Sequence, residues 1–424
     1  MNIFEQLNYK LSEVKKFYFF DYFYILLKAI EEAEGFNVFV RFQNLKQALN
    51  LGESKYKKIG AIAETISDSM LNRYWYTFGE VVEESVTLGL IQHQGNKYKL
   101  SEKGYGLLET YKTSGQEIFN EQLFTLIESR SFGFHYLLTT IFANNQNNAG
   151  TLVFPSYSPL KLHFSKQQLV EENKFVDYLN ALCGKLMEDI FQHIGIQVNL
   201  NTANNELIDK LVETGLIDKT YNLRDAKEYN LIVKRVRDFW ASHFLRNIYG
   251  FKNINSISNF DIWVYRAKQL GILNITEFHP GFSGKMIYPT SIIYKKIKSS
   301  EFKKIYEYPT GDFLYIHNPS FSDSFISSLY ESYIELKRSH TTYFVNLNDI
   351  RDIVCYKLKI SNKKFSDLLS EAYELNLKGT LSISISLEAD KLPSEKAVYL
   401  IRDPIYIGGK VKNIIAIEIN TNKK

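Results

Sequence analysis

Apolar residues recur at three- and four-residue spacing along much of the chain, which predicts helices. Between Leu71 and Leu88, the side chains of Leu71, Trp75, Phe78, Val82 and Val86 fall on one side of such a helix. Gly89 ends it, as glycine often does just past a helix. The period then drops to two. Leu90-Ile91-Gln92-His93-Gln94, the turn Gly95-Asn96 and Lys97-Tyr98-Lys99-Leu100 read as a two-stranded hairpin. Ser101 caps a new helix carrying Leu107 and Leu108.

The same order recurs twice. A helix through Ile262, Trp263, Tyr265 and Arg266 to Leu270 stops at Gly271. Strand Ile272 to Phe278, the turn His279 to Gly284 and a returning strand Lys285 to Tyr288 follow. An amphipathic helix from about Ala226 to Tyr249 precedes this unit. Near the C-terminus, Leu347, Ile350, Val354 and Leu358 mark one helix. Ser361 caps a second, with Phe365, Leu368, Leu369 and Tyr373 facing inward. Gly379 precedes a strand from Thr380 to Ile385. Further strands are expected at Ala397 to Ile401, Ile405 to Ile407 and, after Gly408-Gly409, Val411 to Ile419.

The string LGLIQHQGNKYKLSEKGYGLL, within residues 40–113, resembles the recognition-helix end, wing and following helix of winged-helix regulators of the MarR or PadR kind. The resemblance implies a winged-helix fold there and a helix placed in the major groove, with the wing reaching the backbone. It does not distinguish winged helices that bind DNA from those that dock proteins. The fold class expected for the whole chain is α+β and mostly helical, with several winged-helix modules joined by a helical middle region.

Punctuation divides the 424 residues further. No proline occurs before Pro155, and Val153 to Pro159 reads as a loop. Asn199 to Asn205 is a polar break, and Tyr306 to Pro319 a connector. The expected domains are an N-terminal winged-helix domain at 1–113, a helical middle at 114–225, a basic winged-helix-like module at 226–304, and a C-terminal winged-helix-like α+β domain at 305–424.

Net charge is only +4, but its distribution is uneven. Arg224 to Lys304 holds fifteen Lys or Arg against six Asp or Glu, while Ser101 to Leu223 holds nine against fourteen. Such asymmetry points to a polyanionic partner for the basic segment and a partner-docking or dimerisation role for the acidic middle. The expected phosphate contacts are Asn72, Arg73, Lys97 and Lys99 in the first module; Lys234, Arg235, Arg237, Arg266, Lys268 and Lys285 in the second; and Lys363 and Lys364 in the third. Each competes with the ordinary reading of a solvated side chain.

Catalytic patterns are lacking: no Walker A, GxSxG, HExxH or GxGxxG. Gly408-Gly409-Lys410 sits between strands and reads as a turn. Cys183 and Cys355 are far apart and outside any metal-binding cluster, so buried thiols in a reducing cytoplasm are expected, with no metal or cofactor. The apolar run Phe17 to Ile30 is broken by Asp21 and Lys28, which suits a buried helix rather than a membrane span. Arg130 to His135 and Arg237 to His243 fit the Arg–His spacing of HEPN ribonucleases, at a frequency chance alone supplies. The preferred reading is a non-enzymatic protein that binds double-stranded DNA, as a subunit of a prokaryotic DNA-processing or phage-defence assembly. A plasmid replication initiator would bind DNA similarly. A protein-docking adaptor and a HEPN-like ribonuclease are the alternatives from other classes.

Overall fold

Trp75 lies flat on Phe39, ring centroids 3.9 Å apart, and Phe78 meets Phe42 edge-on at 5.3 Å. These aromatics join α2 (Phe36–Ala48) to α3 (Asp68–Thr87), and Tyr22 of α1 (Asp21–Glu32) meets Phe42 edge-on at 6.0 Å. The computed structural model describes residues 15–48, 68–95, 97–144, 150–155, 245–246, 249–251, 257–276, 278–280, 284–338, 342–389 and 405–419. Helix α1 buries Tyr22, Phe23, Ile25, Leu26, Leu27, Ala29 and Ile30. A helix apolar around most of its circumference belongs inside, as the run from Phe17 predicts. Among the described residues, no helix is long and apolar enough to cross a membrane.

Helix α3 ends where expected, with Gly89 at φ 73°. Its predicted apolar stripe holds for Phe78 and Val82, but Val86 is exposed. Leu88 and Leu90, which are buried just beyond the helix, close this side of the core instead. Strands β1 (Ile91–Gln94) and β2 (Lys97–Leu100) then pair antiparallel around Gly95. Ser101 caps α4 (Glu102–Ser131): its Oγ accepts from Gly104 N at 3.0 Å and donates to Gly89 O at 2.7 Å. The helix breaks at Gly115 (φ 81°), beside the domain boundary expected at 113. It ends at Phe132 in the left-handed region, and α5 (Gly133–Asn144) follows.

The chain groups into two compact units, residues 1–139 with 258–274 and 288–424, and residues 140–257 with 275–287. In the second unit, β3 (Leu152–Pro155) pairs antiparallel with β5 (Gly284–Pro289), from Leu152↔Ile287 to Pro155↔Gly284. Val153 to Pro155, expected in a loop, is therefore strand. Helix α6 (Ile257–Gln269) and β4 (Leu273–Thr276) occupy their expected places, separated by Gly271 at φ 70°. The sheet order is β3-β5-β4, so the returning strand β5 is central, with a neighbour on each edge. The expected strands at 397–401 and most of the helical middle, residues 156–244, lie outside the described residues.

A second three-stranded sheet follows, β6 (Ser291–Tyr294), β7 (Phe302–Glu307) and β8 (Phe313–His317), in the order β6-β8-β7. It takes up much of the stretch expected to be a connector, and the domain boundary placed at 304/305 falls inside β7. Beyond it come helix α7 (Asp323–Lys337), strand β9 (Val345–Asn346), helices α8 (Leu347–Leu358) and α9 (Asn362–Leu377), strand β10 (Ile383–Glu388), the hairpin β11 (Ile405–Ile407) and β12 (Lys410–Lys412), and β13 (Ile414–Ile419). Strand β13 is central in the order β10-β13-β9. Gly408-Gly409 forms the β11–β12 turn, both residues at positive φ. The architecture is thus mixed α+β, helices with small antiparallel sheets.

Candidate nucleic-acid interface

The first hairpin has two unlike faces. The pairs Ile91↔Leu100 and His93↔Tyr98 share one face, and Gln92↔Lys99 and Gln94↔Lys97 share the other, because side chains alternate along a strand. Ile91 and Leu100 are buried. The His93 ring stacks on Tyr98 at 4.8 Å, and Tyr98 meets Phe78 of α3 edge-on at 5.8 Å. Burial holds the Tyr98 phenol above its ordinary pKa. This face anchors the hairpin. The opposite face presents Gln92, Gln94, Lys97 and Lys99, all exposed. It carries two cationic and two amide donors and no carboxylate, and neither lysine has an ion-pair partner among the described residues.

Gly104 sets how closely the hairpin sits on α4. A Cβ at this position would lie 2.1 Å from Leu90 O, so only glycine admits this approach. On α3, Asn72 and Tyr76 are exposed near the helix start. Arg73 lies in the same turn, but its side chain is outside the described residues. Three acids of α3 are engaged: Glu80 accepts from Lys16 N at 2.7 Å, Glu83 pairs with Lys15, and Glu84 pairs with Arg266.

The second module departs most from expectation. Arg266 is fully buried, and its guanidinium makes a two-pronged contact with Glu84, Nη1 to Oε1 at 2.7 Å and Nη2 to Oε2 at 2.8 Å. It also faces the Phe17 ring at 4.8 Å. A phosphate cannot reach it, so Arg266 ties α6 to α3 and is not a DNA contact. The sequence pattern misled because helical spacing places Arg266 three residues from Trp263, on the side of α6 that packs inward. Lys268 is half-buried, and so is Lys285, on the central strand β5. Lys234, Arg235 and Arg237 lie outside the described residues.

In the C-terminal region, Lys363 is exposed but pairs with Glu117 of α4. Lys364 is half-buried in the first turn of α9, its backbone N–H capped by Ser361 Oγ at 3.2 Å. The exposed positions of α9 include Asp367, Glu371 and Glu374. Between β6 and β7, by contrast, Lys295, Lys296 and Lys298 are all exposed. Sequence reasoning included them in the basic segment without nominating them. The signal was there: three lysines in four residues beside a strand end, where no hydrophobic stripe could turn them inward.

The Arg130–His135 pair does not assemble as a nuclease site. The two residues lie on different helices, separated by the left-handed Phe132. Arg130 is exposed and donates to Thr87 O, whereas His135 is buried against Tyr308, ring centroids 4.5 Å apart. Burial lowers His135 to about 4. Beside it, the buried Glu128 carboxylate accepts from Phe134 N (2.9 Å), His135 N (2.8 Å) and Tyr308 Oη (2.8 Å). Burial raises its pKa to about 7, against the pull of these three donors. Glu128 thereby caps the start of α5 and holds Tyr308, a structural arrangement. Arg237 and His243 lie outside the described residues, as does Cys183. Cys355 is buried, which pushes its thiol far up. Among the described residues, no group of three His, Cys, Asp or Glu could hold a metal ion. No protein-family model matches the chain, and no similar curated protein or solved structure was found.

Proposed function

We propose that the chain binds double-stranded DNA without cutting it, through an N-terminal winged helix made of α1 to α3, the β1–β2 wing and the start of α4. The observation that carries this reading is the outer face of the hairpin, where Lys97, Lys99, Gln92 and Gln94 stand exposed with no carboxylate among them. Lysines there reach phosphates, and α3, entering with Asn72 and Tyr76, meets base edges. The test is duplex binding by fluorescence anisotropy across a salt series. Lys97→Ala with Lys99→Ala lowers the slope of log K against log[salt] by about 0.9 for each phosphate the variant no longer neutralises. A wild-type protein that binds no duplex at low salt would refute the reading.

A second reading covers the C-terminal region. Its order of helix, short strand, two helices and four further strands, of which β10 and β13 join β9 in a sheet with β13 central, supports a winged helix with an added β11–β12 hairpin. The helix in the recognition position, α9, exposes Asp367, Glu371 and Glu374, and Lys363 is already paired. That charge repels phosphate, so this module docks a protein. In this reading one winged helix grips DNA and the other recruits a partner, as a subunit of a prokaryotic DNA-processing or defence assembly requires.

A further inference from the structure

Strands β6 and β7 both run antiparallel to β8, which lies between them, so they are parallel to each other. The seven residues 295–301 must therefore cross back over the sheet. They leave β6 at Tyr294, level with Phe313, and enter β7 at Phe302, level with His317. Two strand spacings sideways and four residues lengthwise make this crossing roughly 17 Å. Midway, Ile297 N–H bonds the Tyr315 hydroxyl at 3.0 Å. At the far end, Phe302 packs against His317 with ring centroids 5.1 Å apart. The crossover is thus a strap pinned at both ends and in the middle. Ile297 is its inward residue, half-buried, and Lys295, Lys296 and Lys298 are directed out to solvent beside the exposed Tyr294.

The neighbouring lysines show what a neutralised position looks like. Lys303 pairs with Glu121 and Glu117, and Lys304 lies 3.4 Å from Glu307 and over the Phe313 ring at 4.6 Å. Lys295, Lys296 and Lys298 have no ion-pair partner among the described residues. The strap's own carboxylate, Glu301, leaves residues 294–301 with a net charge of +2. Exposed lysines are ordinary singly. Three within four residues on a fixed backbone, none of them in an ion pair among the described residues, form a preorganised cationic ridge that loses little further backbone entropy on binding.

We propose that this strap is a second phosphate-binding ridge, gripping the backbone of the duplex that the hairpin reads. The inference rests on the DNA-binding reading and extends it to a surface without base contacts. Phosphate contacts fix register and carry no sequence information, so the ridge contributes affinity evenly across sequences.

The test compares the full chain with the triple variant Lys295→Ala, Lys296→Ala, Lys298→Ala and with the hairpin pair Lys97→Ala, Lys99→Ala, on the same duplexes across a salt series. The strap variant is expected to weaken binding equally on unrelated sequences and to lower the salt slope by roughly one to three units. Acetylation of Lys295, Lys296 and Lys298, followed by mass spectrometry, is expected to fall when duplex is bound. A strap variant that binds like wild type while the hairpin variant is weakened overturns the strap and leaves the DNA reading standing. Loss of binding only to single strands overturns it too. A wild-type chain that binds no duplex removes both. Since a triple alanine variant could fold poorly, Lys296→Glu alone serves as the second variant, its melting temperature checked against wild type. It must weaken binding by several-fold or the proposal falls.

Discussion

The hairpins β1–β2 and β4–β5 grow from the same grammar, a helix, a glycine at positive φ, a strand, a turn and a returning strand, yet they end in opposite environments. In β1 only Ile91 is buried, whereas all four residues of β4 are. Strand β2 is an edge with solvent on one face, but β5 has a neighbour on each side. A hairpin with one apolar face leaves its other face to solvent; in β4 both faces are covered, Leu273 and Ile275 on one and the polar Asn274 and Thr276 on the other. The lysines follow. Lys97 and Lys99 stand in water, while Arg266 beside the second hairpin is sealed against Glu84. Basic composition alone thus locates no binding surface, because the same charge stands in water on one hairpin and serves internal cohesion near the other.

Breaking the buried pair is the strongest way to test this contrast. Arg266→Ala is expected to cost about 3–5 kcal/mol, since it leaves a carboxylate buried without its partner. Lys97→Ala and Lys99→Ala are expected to change stability by less than about 0.5 kcal/mol. Urea unfolding measures both. An Arg266→Ala variant as stable as wild type would mean that Arg266 is not the cohesive residue described. Replacing both partners with Arg266→Met and Glu84→Leu is expected to recover much of the loss.

A smaller effect sharpens the other side. Gly104→Ala forces a Cβ onto Leu90 O and is expected to destabilise by about 1–3 kcal/mol. Because the clash lies where the hairpin joins α4, the variant is also expected to loosen amide protection in β1 and β2 more than in β4 and β5. Hydrogen exchange resolves the two.

The smallest effect in the wild type is with pH. Glu128 holds its proton to about 7 when folded, against about 4.5 ordinarily, so it favours folding below about 4.5 and loses that contribution as pH rises through 7. His135 behaves oppositely: its folded value of about 4 lies below 6.5, and its contribution is present above 6.5 and lost as pH falls through 4. Between about 4.5 and 6.5 the two slopes offset, and a flat stability profile is expected. His135→Phe is expected to expose a decline in stability from pH 4.5 to 7, and Glu128→Gln a decline from 6.5 downward. Denaturation midpoints measured across this range test the offset, which fails if both variants remain flat.

Helix α3, the β1–β2 hairpin and the start of α4 were legible almost residue by residue because each depends on neighbours in the chain. Gly89, Gly95 and Ser101 act within a few positions of themselves. The β9-containing C-terminal sheet was less legible. Val345–Asn346 is only two residues long, and its pairing with β13 spans about seventy positions. Strand β3 was read as a loop because Pro155 ends it; its partner, β5, lies about 130 residues on. Of the expected contacts, Asn72, Lys97 and Lys99 stand at the surface. Arg266 does not, since nothing near it in sequence announces Glu84. The strap lysines were visible as letters but not as a ridge, because the parallel course of β6 and β7 makes the crossover.

The sequence by itself determined the local events: where α3 runs, the glycine stops, the Ser101 and Ser361 caps, and a first hairpin with one apolar face. These rest on backbone dihedrals, capping hydrogen bonds and side-chain period, all settled within one or two turns of chain. Only the tertiary structure decided which cations meet solvent and which are consumed. Whether a lysine or arginine is available depends on carboxylates and strands brought in from distant parts of the chain, 182 positions away for Arg266 and Glu84. A buried ion pair of this kind is held by geometry and the exclusion of water, which no spacing in the sequence encodes.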